Sequence, residues 1–554
     1  MNANTVDAVQ FMEMVRLGAA NLQEHAKEID DLNVFPIPDG DTGNNMLLTI
    51  LGGADAEADG SSPLGETARR VADGMLHSAR GNSGVILSQL FDGIAQGFAG
   101  KDVADIASIS EAMQCAVRQA YRSVADPTEG TILTVAKDAA AFAAESVAAS
   151  GGGDATPSDY FTAYLEEARR SLARTPELLP VLKKAGVVDS GGAGLIRIAE
   201  GMSDALEGKT SEHRALLSAS SPSAPKLDLG LFTEDSVLEF GYCTELLLRL
   251  QRIKTDPDTF DAEIIRNFLQ SVGNSVVCVK NGSMVKIHVH TENPDQVLAF
   301  CRKYGEFLTV KIENMSLQHN NLSKEAAGSE AAERKPYATV AVAGGEGICR
   351  LFRDLGCDAI VNGGQSMNPS AQDFLEAFDR LNAETILVFP NNSNVILAAK
   401  QAASMYRDAD VRVVESHNIG QGHIALQMLD VTSGDTDAIL ADLDEAMQNV
   451  ITAGVSHCVR DTQTDDFLLH NGEFIGFVGK DILSADNDRR DAACMLADKI
   501  DFADHEICIL IAGQDAVPEE TEEIKAYIQA KHPFCEVYPV DGGQEIYSYL
   551  MLVE

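Results

Sequence analysis

Two aspartates separated by one glycine, Asp39 and Asp41, sit in the turn Pro38-Asp-Gly-Asp-Thr42, directly ahead of an apolar run with helical spacing. Gly40 lets the backbone bend without steric cost, so both carboxylates can aim at one point. Hard oxygen ligands at that spacing, beside a helix N-terminus, suit a Mg²⁺ that carries nucleotide phosphates. Asn33 lies near as a third group, and Thr42 and Asn45 are placed to donate to phosphate from the start of the helix. An isolated Asp-Gly-Asp is more often a solvated turn. Here three further segments rich in Gly, Ser and Thr follow: His77-Ser-Ala-Arg-Gly-Asn-Ser-Gly84, Asp126-Pro-Thr-Glu-Gly-Thr131 and Gly186-Val-Val-Asp-Ser-Gly-Gly-Ala-Gly194. Each precedes an apolar run of helical spacing, and open N–H groups at helix starts are ready anion sites. Together they favour a phosphate-binding rim over a set of plain helix connections.

A second constellation comprises Cys243 and His288-Val-His290. Residues i and i+2 of a strand share a face. Two imidazoles with a thiolate from a neighbouring strand make a tetrahedral Zn²⁺ site with one position open. A lone His-x-His pair is more often an ordinary hydrogen-bonded surface pair. His417, His423 and His457 read as satisfied loop or core histidines. Leu206-Glu-Gly-Lys-Thr210 imitates the tail of a P-loop, but Ser203 occupies the required first glycine position and a helix precedes it, so the motif fails.

The four polar segments resemble the kinase domain of the dihydroxyacetone-kinase L-subunit type and, more narrowly, the catalytic subunits of bacterial fatty acid kinases. The resemblance runs on through Val361-Asn-Gly-Gly-Gln-Ser-Met-Asn-Pro-Ser370 and Phe389-Pro-Asn-Asn-Ser-Asn394, which are similar to that family's C-terminal region. It implies transfer of the ATP γ-phosphoryl group to the carboxylate of a fatty acid held by a separate carrier protein, giving an acyl phosphate. It places Mg²⁺-binding carboxylates on the Asp39/Asp41 loop, nucleotide contacts at Ser83, Gly84 and Thr131, and a closure over the nucleotide by Asp189, Gly191 and Gly192. It also matches Cys243, His288 and His290 to a middle-domain cysteine and two histidines, a structural or regulatory Zn²⁺ site. Ser78 departs from the pattern, which has glycine there. Ser366 and the Asn391-Asn392 pair are candidate remnants of a lipid-carboxylate site, against the favoured reading of this region as a scaffold that docks the carrier. Two rival functions stay open: a kinase for dihydroxyacetone or another small hydroxy compound, and a non-enzymatic regulator that senses nucleotide and lipid.

Positioning these groups falls to a multidomain α and α/β chain, since 554 residues exceed what one core supports. Over residues 1–210 the spacing predicts eight helices, at 6–26, 44–54, 64–76, 84–98, 109–124, 132–149, 159–173 and 192–206, which agrees with the all-α helical barrel of the resembled family. The Ser/Pro-rich stretch within 211–226 is a linker. Residues 227–322 read as a ferredoxin-like α+β domain. Its predicted strands are 237–252, 275–280, 284–290 and 308–313, and its helices 258–272 and 294–304, with a hairpin at Asn281-Gly282. A charged connector spans 323–336. In 337–554, strands at 338–342, 359–361, 386–389 and 411–414 alternate with helices, the signature of a parallel sheet covered on both faces, and the domain resembles lipid-binding carrier proteins. Beyond about 455 the pattern loosens into short strands and helices.

The formal net charge of −41 argues against nucleic acid or an anionic membrane surface as a direct partner. No apolar run approaches the roughly 18 residues of a membrane helix, and the first residues carry neither the basic start nor the apolar core of a signal peptide. Ten scattered cysteines without a CxxC pair do not form a disulfide framework. The expectation is a cytoplasmic protein, with a homodimer through the middle domain as a working assumption.

Overall fold

Apolar residues at three- and four-residue spacing fold the N-terminal region into α1 (Ala8–Asp30), α2 (Thr42–Ala54), α3 (Leu64–Ser78), α4 (Gly81–Gly97), α5 (Ile106–Ser123), α6 (Ile132–Ala149), α7 (Pro157–Leu178), α8 (Pro180–Ala185) and α9 (Ser190–Leu206). The computed structural model describes residues 4–554 except 33–36, 38, 39, 57, 59, 60, 150–154, 210–241, 257–259, 262, 282, 283, 292, 315–333, 365–367, 433, 465 and 504. For some strand residues, Cys243, His288 and His290 among them, it describes the backbone alone. Helix starts follow local chemistry: the Asp7 and Asp105 side chains accept the Gln10 and Ser108 amides, and Thr156 with Asp159 forms a reciprocal capping box. The six-residue α8, ended by Gly186 in the left-handed conformation, was not among the expected helices. It extends the α7 arm without joining the ring.

Each of the longer helices packs on the next, and α9 returns against α1 to close the barrel. The interior is filled by side chains under 2% exposed, including Met12, Leu22, Met46, Ile50, Tyr160 and Tyr164. A residual apolar cavity of about 30 Å³ remains. With a second void of about 20 Å³ beside it, it is small against the buried side chains around it, so the barrel centre is a packed core.

The chain divides into two compact bodies, one of residues 1–220 with 334–554, the other of residues 221–333. The smaller body holds β1 (Tyr242–Leu250), α10 (Glu263–Val272), β2 (Asn274–Asn281), β3 (Met284–Thr291), α11 (Pro294–Cys301) and β4 (Gly305–Asn314). Its strand order, β2-β3-β1-β4, is the ferredoxin-like arrangement expected from the element order. Alternate residues Leu246, Leu248, Val285, Ile287 and Val289 build one core with Ile265, Leu269 and Val297 of the helices. Asn281 pairs with Met284 across the predicted hairpin.

In the larger body the barrel is joined by β5 (Lys335–Ala343), α12 (Glu346–Asp354), β6 (Ala359–Asn362), α13 (Ala371–Asp379), β7 (Ala383–Phe389), α14 (Ile396–Met405), β8 (Asp410–Val413), α15 (Ile419–Gln427) and α16 (Thr436–Met447). These strands form a parallel sheet in the order β6-β5-β7-β8. Beyond it come β9 (Ile451–His457), β10 (Thr462–Gln463), β11 (Leu468–Leu469), β12 (Phe474–Val478), β13 (Asp481–Asp486), α17 (Arg489–Ala497), β14 (Ile507–Ala512), α18 (Pro518–Lys531), β15 (Glu536–Asp541) and β16 (Tyr549–Val553). Six of these make a second sheet, β13-β12-β9-β16-β14-β15, antiparallel except for the β14–β15 pair. The loosened pattern beyond 455 is thus a distinct, mostly antiparallel sheet. Its short strands are joined by both hairpins and helices, which leaves no single period to read.

One face of the parallel sheet shares a core with the second sheet, with Leu387 and Phe389 packed against Ile511 and Leu552. On its other face Phe374, Phe378 and Val388 gather Ala79 and Val85 from the barrel, 0% and 4% exposed. The α3–α4 connection is therefore buried in the C-terminal domain. This contact fixes the barrel rim against the loops at the carboxyl ends of β6 and β7.

Candidate active site

The starts of α2 and α4 line a polar cavity of roughly 130 Å³ made by Gly40, Asp41, Thr42, Asn45, Asn82, Ser83 and Asn394. The α2 start is held from below. Asp30, at the end of α1, accepts the Gly43 amide at 2.6 Å and the Asn44 amide at 3.4 Å. Burial pushes the Asp30 carboxyl above its usual range, while those two amides and the neighbouring charge of Asp31 act in opposite senses. A side chain at Gly43 would lie 2.2 Å from the Ala26 carbonyl oxygen, so α2 enters pressed onto α1. Because Asp30 does the capping, Asp41 makes no side-chain cap bond with its own helix. Its carboxylate instead accepts from the Asn368 amide group.

The α4 start is shaped by Gly81, whose φ of 56° is left-handed and leaves Asn45 Nδ2 only 2.4 Å from where a side chain would begin. Thr49 Oγ1 receives the Arg80 amide at 3.3 Å and donates to the Asn45 carbonyl at 2.7 Å, tying the two helix starts together. The N-cap residue of α4, Arg80, makes no side-chain cap bond, and the first-turn amides of a helix are a favourable place for an anion. Ser190 Oγ, at the start of α9, lies 3.2 Å from Thr42 Oγ1.

Asp41, Thr42, Asn45 and Ser83 are thus brought together around one cavity, and Gly84 packs behind it against Asn45 and Thr49. Thr131, Asp189, Gly191 and Gly192 lie at neighbouring helix starts, outside the cavity lining. Thr131 Oγ1 donates to the Thr128 carbonyl at 2.7 Å. Asp189 caps α9 by accepting the Gly192 amide at 2.7 Å. The residue keeps some surface exposure, but its carboxylate is turned inward, and burial raises its pKa to about 6 against the Gly192 and Ile132 amides. Gly191 and Gly192 pack α9 on α6, where a side chain at 192 would meet Val135 at 2.9 Å. Asp39, Asn33 and Ser366 lie outside the described residues.

Sequence reasoning did not assign Asn82, Asn368 or Asn394 to this site. All three stand in quoted motifs, but nothing in a sequence links positions 327 residues apart, the separation of Asn368 from Asp41. The Asn391-Asn392 pair is absorbed by structure. Asn391, at a positive φ of 56°, donates to the Val342 carbonyl at 2.9 Å and accepts from Ser416 at 2.8 Å. Asn392 Oδ1 accepts the Asn394 amide at 2.9 Å. His423 is a buried histidine whose Nδ1 lies 2.7 Å from a Glu554 oxygen. In the smaller body β1 and β3 pair with Cys243 opposite His290 and Glu245 opposite His288, while the side chains of Cys243 and both histidines lie outside the described residues. Among the described residues no group of three or more His, Cys, Asp or Glu could hold a metal, and no helix is long and apolar enough to cross a membrane.

Most of the helical barrel, residues 36–204, is matched by the DAK2 domain model. The middle-domain and C-terminal models of the FakA-like fatty acid kinase family match residues 239–322 and 338–554. The chain is 40% identical to Protein YloV of Bacillus subtilis over the whole of both chains, and 38% identical to an uncharacterized protein of Staphylococcus epidermidis over 98% of each. The chain belongs to the FakA-like fatty acid kinase family. Among solved structures, the dihydroxyacetone kinase of C. freundii is similar at 15% identity, covering 44% of this chain and 56% of that one, with a TM-score of 0.28 that carries no weight for function.

Proposed function

We propose that the chain is an ATP- and Mg²⁺-dependent kinase subunit that phosphorylates the carboxylate of a fatty acid presented by a separate carrier protein. The observation that carries the reading is the Asp41 carboxylate, relieved of capping its own helix and facing a polar cavity between two helix starts. The oxygen donors fit a hard cation: Asp41 supplies charge, and Asn82 Oδ1 is buried without a hydrogen-bond partner. Asp41, with Asp39 and Asn33 on the same loop, would hold Mg²⁺. That ion would neutralise charge on the phosphoryl group in transfer.

The first-turn amides of α4 and the hydroxyls of Thr42 and Ser83 orient the phosphates. The acid is ionised at neutral pH, so its carboxylate oxygen attacks the γ-phosphorus directly. The P–O bond to the β-phosphate breaks, ADP leaves, and no proton changes hands. No strong general base is needed, and positioning with electrostatic stabilisation does the catalytic work.

The test is ATP turnover with oleate and a co-purified carrier, beside dihydroxyacetone alone. Carrier-dependent acyl phosphate formation supports the proposal. Brisk carrier-independent phosphorylation of dihydroxyacetone would assign the chain to small hydroxy compounds, and nucleotide binding without any transfer would make it a regulator.

A further inference from the structure

Two domains meet at the cavity: Asn394 lines it, and Asn368 bonds the Asp41 carboxylate that lines it. Asn394 comes from the loop after β7, and Asn368 from the loop after β6. Both are at the carboxyl ends of parallel strands, where open α/β sheets receive ligands. Asn368 is 1% exposed and donates Nδ2 to the Asp41 carboxylate. Its Oδ1 has no hydrogen-bond partner, and neither has Asn82 Oδ1. The Asn368 loop is pinned: Arg80 Nη1 donates to the Asn368 carbonyl at 2.9 Å, and Arg80 forms a β-bridge with Ser370. Asn82 Nδ2 in turn reaches Asn394 Oδ1 at 3.4 Å.

A buried acceptor left without a donor keeps the full penalty of its lost hydration. Two such oxygens, one on the carboxamide that donates to Asp41 and one on a residue lining the same cavity as Asp41, mark a place where a cation belongs. A carboxamide carries donor and acceptor on one group, and its terminal torsion is soft. Asn368 can therefore donate to Asp41 while no cation is bound and offer Oδ1 when a cation takes the charge.

We propose that Asn368, with Asn82, completes the site for a divalent cation carrying the phosphates of a nucleoside triphosphate, so that the site is shared between barrel and C-terminal domain. Arg80 is the positioning residue that holds the Asn368 backbone in place. The inference rests on the kinase reading above, and it adds a residue far outside the segment matched as DAK2.

The test is isothermal titration of the full chain with a non-hydrolysable ATP analogue, in Mg²⁺ and in EDTA, with melting followed in parallel. Asn368→Leu is expected to weaken Mg²⁺-nucleotide binding by about tenfold or more and to raise the Mg²⁺ concentration for half-saturation. Asn368→Asp, which keeps an oxygen there, should restore binding in Mg²⁺ and weaken it in EDTA, where two carboxylates face the phosphates. Glu376→Ala, exposed on α13, is the control. Wild-type affinity in Asn368→Leu would overturn the inference, and so would equal losses in Mg²⁺ and EDTA. If Asn368→Leu does not fold, the Mg²⁺/EDTA contrast in Asn368→Asp decides alone. Failure of the wild-type chain to bind Mg²⁺-nucleotide would instead sink the kinase reading itself.

Discussion

Asp41 combines two properties that local chemistry usually sets against each other. It stands at the N-cap of α2, where a carboxylate normally turns back onto its own helix, yet Asp30 has taken the amides of Gly43 and Asn44. Asp41→Ala should therefore leave α2 capped and the far-ultraviolet circular dichroism helical. Turnover should fall by at least about a hundredfold, the scale of losing a principal electrostatic contact. Near-normal turnover would remove Asp41 from the site. Asp189 makes a different point. Its pKa is raised to about 6 by burial, so the folded state holds its proton more tightly than the unfolded chain. The stability it contributes is complete below the ordinary aspartate range and is lost as pH rises through about 6. Asp189→Asn keeps the cap oxygen without the buried charge. Its melting temperature should exceed that of the wild type at pH near 7.5, and the gap should close toward pH near 4. A gap independent of pH would show that the carboxylate is ionised at no cost.

At the scale of elements, the barrel closes where α9 meets α1, and the closure depends on glycine. A side chain at Gly201 would lie 2.2 Å from the Leu17 carbonyl oxygen and 2.7 Å from Gly18 Cα. Gly201→Leu should force the two backbones apart and cost about 1–3 kcal/mol or more, the range of overpacked cores. Urea unfolding followed by helical circular dichroism measures it, and an unchanged midpoint would mean that α9 slides freely. The strands of the smaller body set a second expectation. Their register places Cys243 directly opposite His290, with His288 two residues away on the same strand. Elemental analysis of the purified chain is expected to find about one Zn²⁺, with Cys243→Ser losing it and loosening that body, because metal binding and folding are coupled. Absence of zinc before any chelator treatment would make the trio an ordinary strand cluster.

At the scale of the whole molecule, the barrel and the C-terminal domain form one body although over a hundred residues of chain intervene. Ala79 and Val85 of the barrel are buried in the C-terminal core. Gln401 of α14 reaches back to Ser88 and Gln89 at 3.4 and 3.3 Å. A fragment of residues 1–220 should keep its helices, since the barrel has its own core. It should nevertheless melt earlier than the full chain and bind Mg²⁺-nucleotide more weakly, having lost Asn368 and Asn394. Calorimetry and nucleotide titration of fragment and full chain make the comparison. Equal affinity would show that the C-terminal domain contributes nothing to the site.

The local chemistry was legible in the sequence. The acidic turn, the glycine-rich helix starts, the three- and four-residue apolar spacing of the barrel helices and the element order of the ferredoxin-like body all follow from interactions within a few residues. For the same reason α6 spans residues 132–149 as the spacing predicted. What only the tertiary structure decided lies at long range. The second sheet beyond residue 455 has no single period, because its strands pair across hairpins, helices and a crossover. The release of Asp41 from capping depends on Asp30 at the end of another helix. The meeting of Asp41 with Asn368 joins residues 327 positions apart, and only burial of the α3–α4 connection in the parallel-sheet domain brings them into contact. Spacing along a chain reports which groups can share a face of one element. Which faces of different elements meet is set by packing, and that is where the cavity acquired its second wall.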